Sequence, residues 1–264
     1  MATLAIVAKK PPIFEANKES VTVLDSRLNP MTDQTFAQTV LQCPDLESLI
    51  VDVTHFSSTF FDELEKLTKL KTLHLVGKPQ AEFFDIDLSL EFRGMETLTI
   101  EDAFVDGNMF EAMSRVFPQL RGLYLRSIQV PDHYELLSLK HFKGLQTLSV
   151  KEMRLEDSFF AAVEQLEKLE TLDLSQSIIG LGLMQHTFPS SLRTLNVQNA
   201  TLSFFEYTYP VLEERSEEGL SILGMDTLME KPKIRFSNLP PMPPLDFGDD
   251  SDDEPFKPLT LEFV

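Results

Sequence analysis

The side chains that most often carry chemistry are few and scattered in this sequence. His55, His74, His133, His141 and His186 stand too far apart for the HExxH spacing, which puts two imidazoles on one helix face around a metal. Cys43 is the sole cysteine, so neither an intramolecular disulfide nor a thiolate cluster can form. No serine sits in the glycine-flanked turn that exposes a nucleophile. Gly180 and Gly182 are followed by neither the third glycine nor the lysine of a phosphate-cradling loop. The expectation is therefore no catalytic residue, no metal and no cofactor. Recognition chemistry is better supplied. Arg121, Gly122, Tyr124 and Arg126 lie close together, and Tyr and Arg combine large contact area with directed hydrogen bonds.

The element that must position these residues is a repeat. One phrase is written seven times: LESLIV from Leu46, LKTLHL from Leu70, METLTI from Met95, LRGLYL from Leu120, LQTLSV from Leu145, LETLDL from Leu169 and LRTLNV from Leu192. Successive starts are 24, 25, 25, 25, 24 and 23 residues apart. Apolar residues at phrase positions one, four and six suit a stack of coils that each contribute one strand to a shared core. A single coil cannot bury its own apolar side, so the repeats must stack. The segments between phrases carry helical spacing, as in 159–168, where Phe160, Val163 and Leu166 fall three apart.

These features resemble the leucine-rich-repeat family, whose pattern begins LxxLxLxx and has a further apolar residue at position eleven, here Phe56, Val105, Val130, Leu155, Ile179 and Leu202. The family's Asn or Cys at position nine is absent; Thr54, Lys78, Ala103, Ile128, Met153, Ser177 and Ala200 stand there, so no Asn ladder links the coils. The helical returns look like the helix-bearing classes of ribonuclease inhibitors and F-box adaptors. The resemblance implies an α/β solenoid, a curved horseshoe with a parallel sheet on its concave face and short helices on its convex face. It also implies a non-enzymatic scaffold or adaptor that holds a protein partner on the concave sheet. Two further readings follow from resemblance, a substrate-recognition subunit of a ubiquitin ligase and an acidic leucine-rich nuclear protein that binds basic partners; a bacterial effector that mimics host adaptors is a third alternative.

Alternation along a strand turns positions three, five and seven away from the core. Position three reads Ser48, Thr72, Thr97, Gly122, Thr147, Thr171 and Thr194; position five reads Ile50, His74, Thr99, Tyr124, Ser149, Asp173 and Asn196; position seven reads Asp52, Val76, Glu101, Arg126, Lys151, Ser175 and Gln198. The candidate partner-binding residues are Arg121, Tyr124, Arg126 and Lys151, with His74, Thr99, Asp173 and Asn196 in the same face. The competing expectation is that Arg126 and Lys151 simply pair with Glu101 and Asp173 as exposed ions. His74 and Asp173 share a column but stand about four strands apart, near 20 Å, too far to act together.

Composition bounds the rest. The chain has 264 residues and a formal charge of −19, which argues against a surface that tracks phosphates, since nucleic-acid binding depends on Lys and Arg displacing counterions. The apolar run 4–8 is too short for a signal-peptide core, and no stretch approaches the ~20 apolar residues of a spanning helix. A cytoplasmic protein is expected, with the nucleus open, and without nucleic-acid or membrane partners. Residues 1–17 read as an extension and 18–230 as the repeat domain of about eight or nine coils, regular over 46–202. Its first coil is degenerate, with Lys18 at position one, strand positions at Val21 and Val23, and a return helix over 33–41. A last irregular coil would use Leu220, Leu223, Met225 and Leu228. Residues 231–264 read as a Pro-rich acidic tail with seven prolines and the run 249–254 around Ser251. Ser251 is a candidate phosphosite, and a basic protein is the candidate partner of that tail.

Overall fold

The leucine at phrase position four meets its counterpart in the next coil throughout the array. Leu24, Leu49, Leu73, Leu98, Leu123, Leu148, Leu172 and Leu195 are successive register partners, and none exposes any surface to solvent. Burying one such side chain stabilises by about 2 kcal/mol, but only if a neighbouring coil covers it, so the column itself drives stacking.

The computed structural model describes residues 3–5, 21–28, 30–57, 59–77, 91–105, 107–130 and 133–230. In chain order the strands are β1 (Thr3–Ala5), β2 (Val23–Asp25), β3 (Ser48–Asp52), β4 (Thr72–Val76), β5 (Thr97–Glu101), β6 (Gly122–Arg126), β7 (Thr147–Lys151), β8 (Arg154–Leu155), β9 (Thr171–Asp173), β10 (Ile178–Ile179), β11 (Thr194–Asn196), β12 (Thr201–Leu202), β13 (Ser221–Leu223) and β14 (Met229–Glu230). Ten of them form one parallel sheet, β1-β2-β3-β4-β5-β6-β7-β9-β11-β13, in which neighbours along the chain are neighbours in space. The two-residue strands make a second ladder, β14-β12-β10-β8. The returns hold α1 (Asp33–Gln42), α2 (Phe60–Leu64), α3 (Gly107–Val116), α4 (Asp157–Val163), α5 (Gly182–Gln185) and α6 (Phe205–Glu217), with a 3-10 turn over His133–His141. Strands stack about 4.8 Å apart while packed helices need about 8–10 Å, so the stack bends with its strands inside.

Between sheet and helices lies a phenylalanine-rich filling. Phe36, Phe60, Phe61, Phe110, Phe117, Phe159 and Phe160 are buried, and Phe36, Phe56 and Phe60 pack ring to ring at 4.7–5.5 Å. Thr32 starts α1 with a capping box: Thr35 Oγ1 accepts the Thr32 N–H at 2.8 Å, and Thr32 Oγ1 faces the Thr35 N–H at 3.5 Å.

A turn the residue types do not announce connects the two ladders. Asp102, Ser127, Glu152, Gln176 and Asn199, all at phrase position eight, adopt left-handed backbone with φ between 51° and 64°. Three of them donate the backbone N–H to the position-seven carbonyl of the next coil, Asp102 to Arg126, Ser127 to Lys151 and Gln176 to Gln198, at 3.0–3.1 Å. Inter-coil bonds thus offset a conformation that disfavours side chains by about 1–2 kcal/mol.

Several expectations shift. In the first coil Leu24, not Val21, pairs with Leu49, so position one falls on Val21 rather than Lys18, which itself lies outside the described residues. The slip has a cause: position six is Ser26, which is buried and donates its hydroxyl to Ile50 O at 3.3 Å instead of presenting an apolar side chain. Another strand, β1, precedes that coil and pairs in parallel with β2. The helix expected over 159–168 runs from Asp157 to Val163, and Leu166 is buried in the turn that follows. In the last coil Ile222 takes the ladder position beside Leu195, which leaves Leu223 half exposed. Among the described residues Ser177 does the work of an Asn ladder: its Oγ donates to Val150 O at 3.0 Å and accepts from Met153 N at 3.3 Å, both buried groups of the preceding coil. Ser251 and the acidic run lie outside the described residues. Among those described, no helix is long and apolar enough to cross a membrane.

Candidate functional site

The sheet's outward rows form as alternation requires. Thr72, Thr97, Gly122, Thr147, Thr171 and Thr194 are consecutive register partners, as are His74, Thr99, Tyr124, Ser149, Asp173 and Asn196; in the third row Val76, Glu101, Arg126 and Lys151 align. Tyr124 stands at the centre and is 37% exposed. Its ring leans over Gly122: a Cβ added there would come within 3.1 Å of the Tyr124 ring edge and 3.5 Å of Thr97 Oγ1. The gap in the threonine row is thus the seat of the tyrosine.

Beside the ring is a hollow of about 320 Å³, walled by Tyr124, Glu101, Arg126, Lys151, Asp173 and Gln176. Its charged groups are paired. Arg126 spans two carboxylates, reaching Glu101 at 3.1 Å and Glu152 at 2.8 Å, while Lys151 reaches Asp173 at 2.9 Å. His74 meets the other oxygen of Glu101 at 3.0 Å, and Ser127 Oγ donates to Glu152 at 2.6 Å. Hydrogen bonds from Ser127 and Arg126 hold the Glu152 carboxyl below the usual carboxylate range. Half-burial pushes Asp173 up, but its bonds to Lys151 and Ser175 outweigh that and leave it lowered. Glu152 also strengthens the hold of Arg126 on its proton. Three carboxylates against two cations leave the cluster neither a free basic patch nor a neutral one.

The remaining candidates are placed as follows. Arg121 sits one residue before β6, exposed on the rim, and makes no ion pair among the described residues. Thr99 lies beside Tyr124 in its row. Asn196 turns its amide oxygen to its own backbone, accepting from Gln198 N at 3.0 Å, as Asp173 does from Ser175 N. His74 and Asp173 are in one row four strands apart, as their register requires. Glu152 was not singled out by type or spacing: it occupies the left-handed position eight, and that turn brings it back beside Arg126. Among the described residues, no group of three His, Cys, Asp or Glu could hold a metal.

Ten parallel strands joined in chain order, a leucine column repeating every 23–25 residues and a second ladder entered through a recurrent left-handed turn decide the architecture. The fold is a leucine-rich-repeat solenoid. No family model matches the sequence. This leucine-rich-repeat chain is similar in structure to internalin C2 of Listeria monocytogenes, with 19% identity and a TM-score of 0.47 over 69% of this chain and 74% of that one. It is also similar to an internalin, inlF, of the same species, with 17% identity and a TM-score of 0.40 over 69% of this chain and 49% of that one. A third similar structure is a Bacteroides fragilis protein, with 15% identity and a TM-score of 0.45 over 74% of this chain and 71% of that one.

Proposed function

We propose that this leucine-rich-repeat protein is a non-enzymatic scaffold, a cytoplasmic adaptor whose concave sheet face grips a protein partner around Tyr124. The observation that carries the reading is a half-exposed tyrosine seated over Gly122 beside an ion-paired hollow. Aromatic rings held in place lose little freedom on binding, and ringed polar groups keep water from the contact. Because Arg126 and Lys151 already rest on carboxylates, they offer the partner their unused N–H donors rather than net positive charge. Arg121 and the hydroxyl row extend the contact along the strands. The acidic run around Ser251 is a second element of the proposal, a contact for a basic protein that phosphorylation would strengthen.

Affinity capture from a native lysate tests both elements, run with the wild type, with Tyr124→Ala/Arg126→Glu, and with residues 246–264 deleted. The concave partner should be missing from the double variant alone, and basic proteins from the deletion alone. Identical captures from wild type and double variant would remove the concave site.

A further inference from the structure

We propose that a second surface, on the return side of the last regular coils, docks a basic amphipathic helix of a protein partner. It stands apart from the sheet face and does not depend on that reading. Ile179 and Leu202 are register partners in the second ladder, and two residues after each rung come the N-cap positions of α5 and α6, helices that touch on neighbouring coils. Leu181 and Phe204 stand there, and three residues further on stand Met184 and Tyr207. These four are 36%, 60%, 43% and 60% exposed, and they make up half of the eight large hydrophobics exposed among the described residues. Such clustering on two adjacent coils marks an interaction surface rather than scattered exposure.

Phe204 adds an independent signal. Its backbone is left-handed, with φ 57° and ψ 55°, a region bulky side chains avoid. The other non-glycine residues of that conformation among those described are the polar series at position eight. At 204 the turn starts α6 abruptly, its carbonyl accepting from Tyr207 N and Thr208 N at 2.9 and 3.1 Å. Asn or Gly would make that turn without strain, yet the position holds an aromatic ring turned to water.

Charge specifies the occupant. Along α6 the outward stripe passes from Phe204 and Tyr207 to Glu214 and Glu217, with Glu213 beside them, all exposed. Those three glutamates have no ion pair among the described residues. Arg215, the one cation of α6, bends away, its guanidinium 6.0 Å from the Phe188 ring and 3.7 Å from Glu218. An apolar end followed by an acidic end over about 20 Å matches a helix of about 13 residues with leucines on one face and lysines on the other. The same acids oppose an anionic bilayer.

The test is fluorescence anisotropy with a labelled 14-residue peptide carrying leucines at i, i+3, i+4 and i+7 and lysines elsewhere. Wild type should bind it and should ignore the same composition scrambled or the version with glutamate for lysine. Phe204→Ala/Tyr207→Ala and, separately, Glu214→Lys/Glu217→Lys should each weaken binding by about 10-fold or more. Charge reversal at α2, several coils before α6, by Asp62→Lys/Glu65→Lys, should change it less than about 2-fold, as should the Tyr124→Ala/Arg126→Glu variant. Phe204→Asn should bind weakly while melting no lower than wild type, since it relieves the backbone. Equal loss from the distant reversal, equal binding of the scrambled peptide, or selective binding to phosphatidylserine vesicles would each overturn the proposal.

Discussion

Tyr124 and Phe204 are both exposed aromatics on one solenoid, and they are held in opposite ways. Around Tyr124 every level agrees: the strand is regular, the ring lies in a gap left by glycine, and Arg126 and Lys151 rest on carboxylates. Around Phe204 the levels conflict: the backbone is left-handed under a bulky residue, the ring faces water, and Glu213, Glu214 and Glu217 further along α6 make no ion pair among the described residues. Consistency marks a face that repeats of this kind produce by stacking. Local conflict marks a place where something other than folding selects the residues. In the two proposals the sheet face is a repeated platform to which Tyr124 gives specificity, and the return face owes its docking surface to the departure at Phe204.

Both faces hang on one core, and the largest expected effect removes them together. Leu148→Asp buries a charge in the middle of the leucine column, where no partner is available, and desolvation of several kcal/mol should unfold the array. Circular dichroism at 25 °C checks it; a cooperative melt near that of wild type would mean the column does not carry the stack. The next effect separates the faces. Tyr124→Ala/Arg126→Glu should weaken the concave partner by about 100-fold while keeping a cooperative melt within about 5 °C of wild type, because the two ion pairs lost and the carboxylate added are exposed and each is worth under about 1 kcal/mol. A matched fall in stability would make the Arg126 network structural.

Much of the sheet face was legible because a two-residue alternation in phase with a fixed leucine leaves no choice of side. The rows that contain Thr97, Tyr124 and Lys151 follow from it directly, and register confirms them. The left-handed column was not legible: Glu152 and Gln176 have no preference for that conformation, and it is inter-coil backbone bonds that impose it. Consequently the second carboxylate on Arg126 could not be read from the sequence. The β2 register escaped because Ser26 satisfies itself through a hydroxyl where an apolar residue was expected. Phe204 and Tyr207 could not be assigned a side from the sequence, since nothing periodic distinguishes the outward side of an irregular return.

A smaller effect probes the joint between the faces. Ser177 supplies two bonds to buried backbone of the preceding coil, so Ser177→Ala leaves the Met153 N–H and Val150 carbonyl short of a partner. The expected loss is about 1–3 kcal/mol, a fall of about 5 °C in the melting temperature. Asn can make both bonds, and Ser177→Asn should lose less than the alanine. An alanine variant as stable as wild type would assign those backbone groups to solvent.

The smallest effect depends on pH and lies on the return face alone. His186 stands between Asp157 and Glu164, with its two ring nitrogens 3.0 Å from each, and Thr187 Oγ1 donates to Glu164 at 2.6 Å. The hydrogen bond to Glu164, aided by Asp157, holds the imidazole above the ordinary histidine value, while Thr187 and His186 hold Glu164 below its own. A raised histidine stabilises fully below its unfolded value of about 6.5, and that contribution fades as pH rises through the folded value. A lowered glutamate stabilises above about 4.3 and fades as pH falls through its folded value. The clamp is therefore strongest at about pH 5 to 6.5 and weakens on the alkaline side. Both carboxylates are open to solvent, Asp157 by 63% and Glu164 by 42%, so water screens the clamp and keeps the difference small. Melting curves of wild type and His186→Gln should differ most near pH 6 and converge by about pH 8.5. Tyr124→Ala/Arg126→Glu should leave that convergence unchanged. A gap that stays constant across this range would show that His186 acts by packing, and not through its charge.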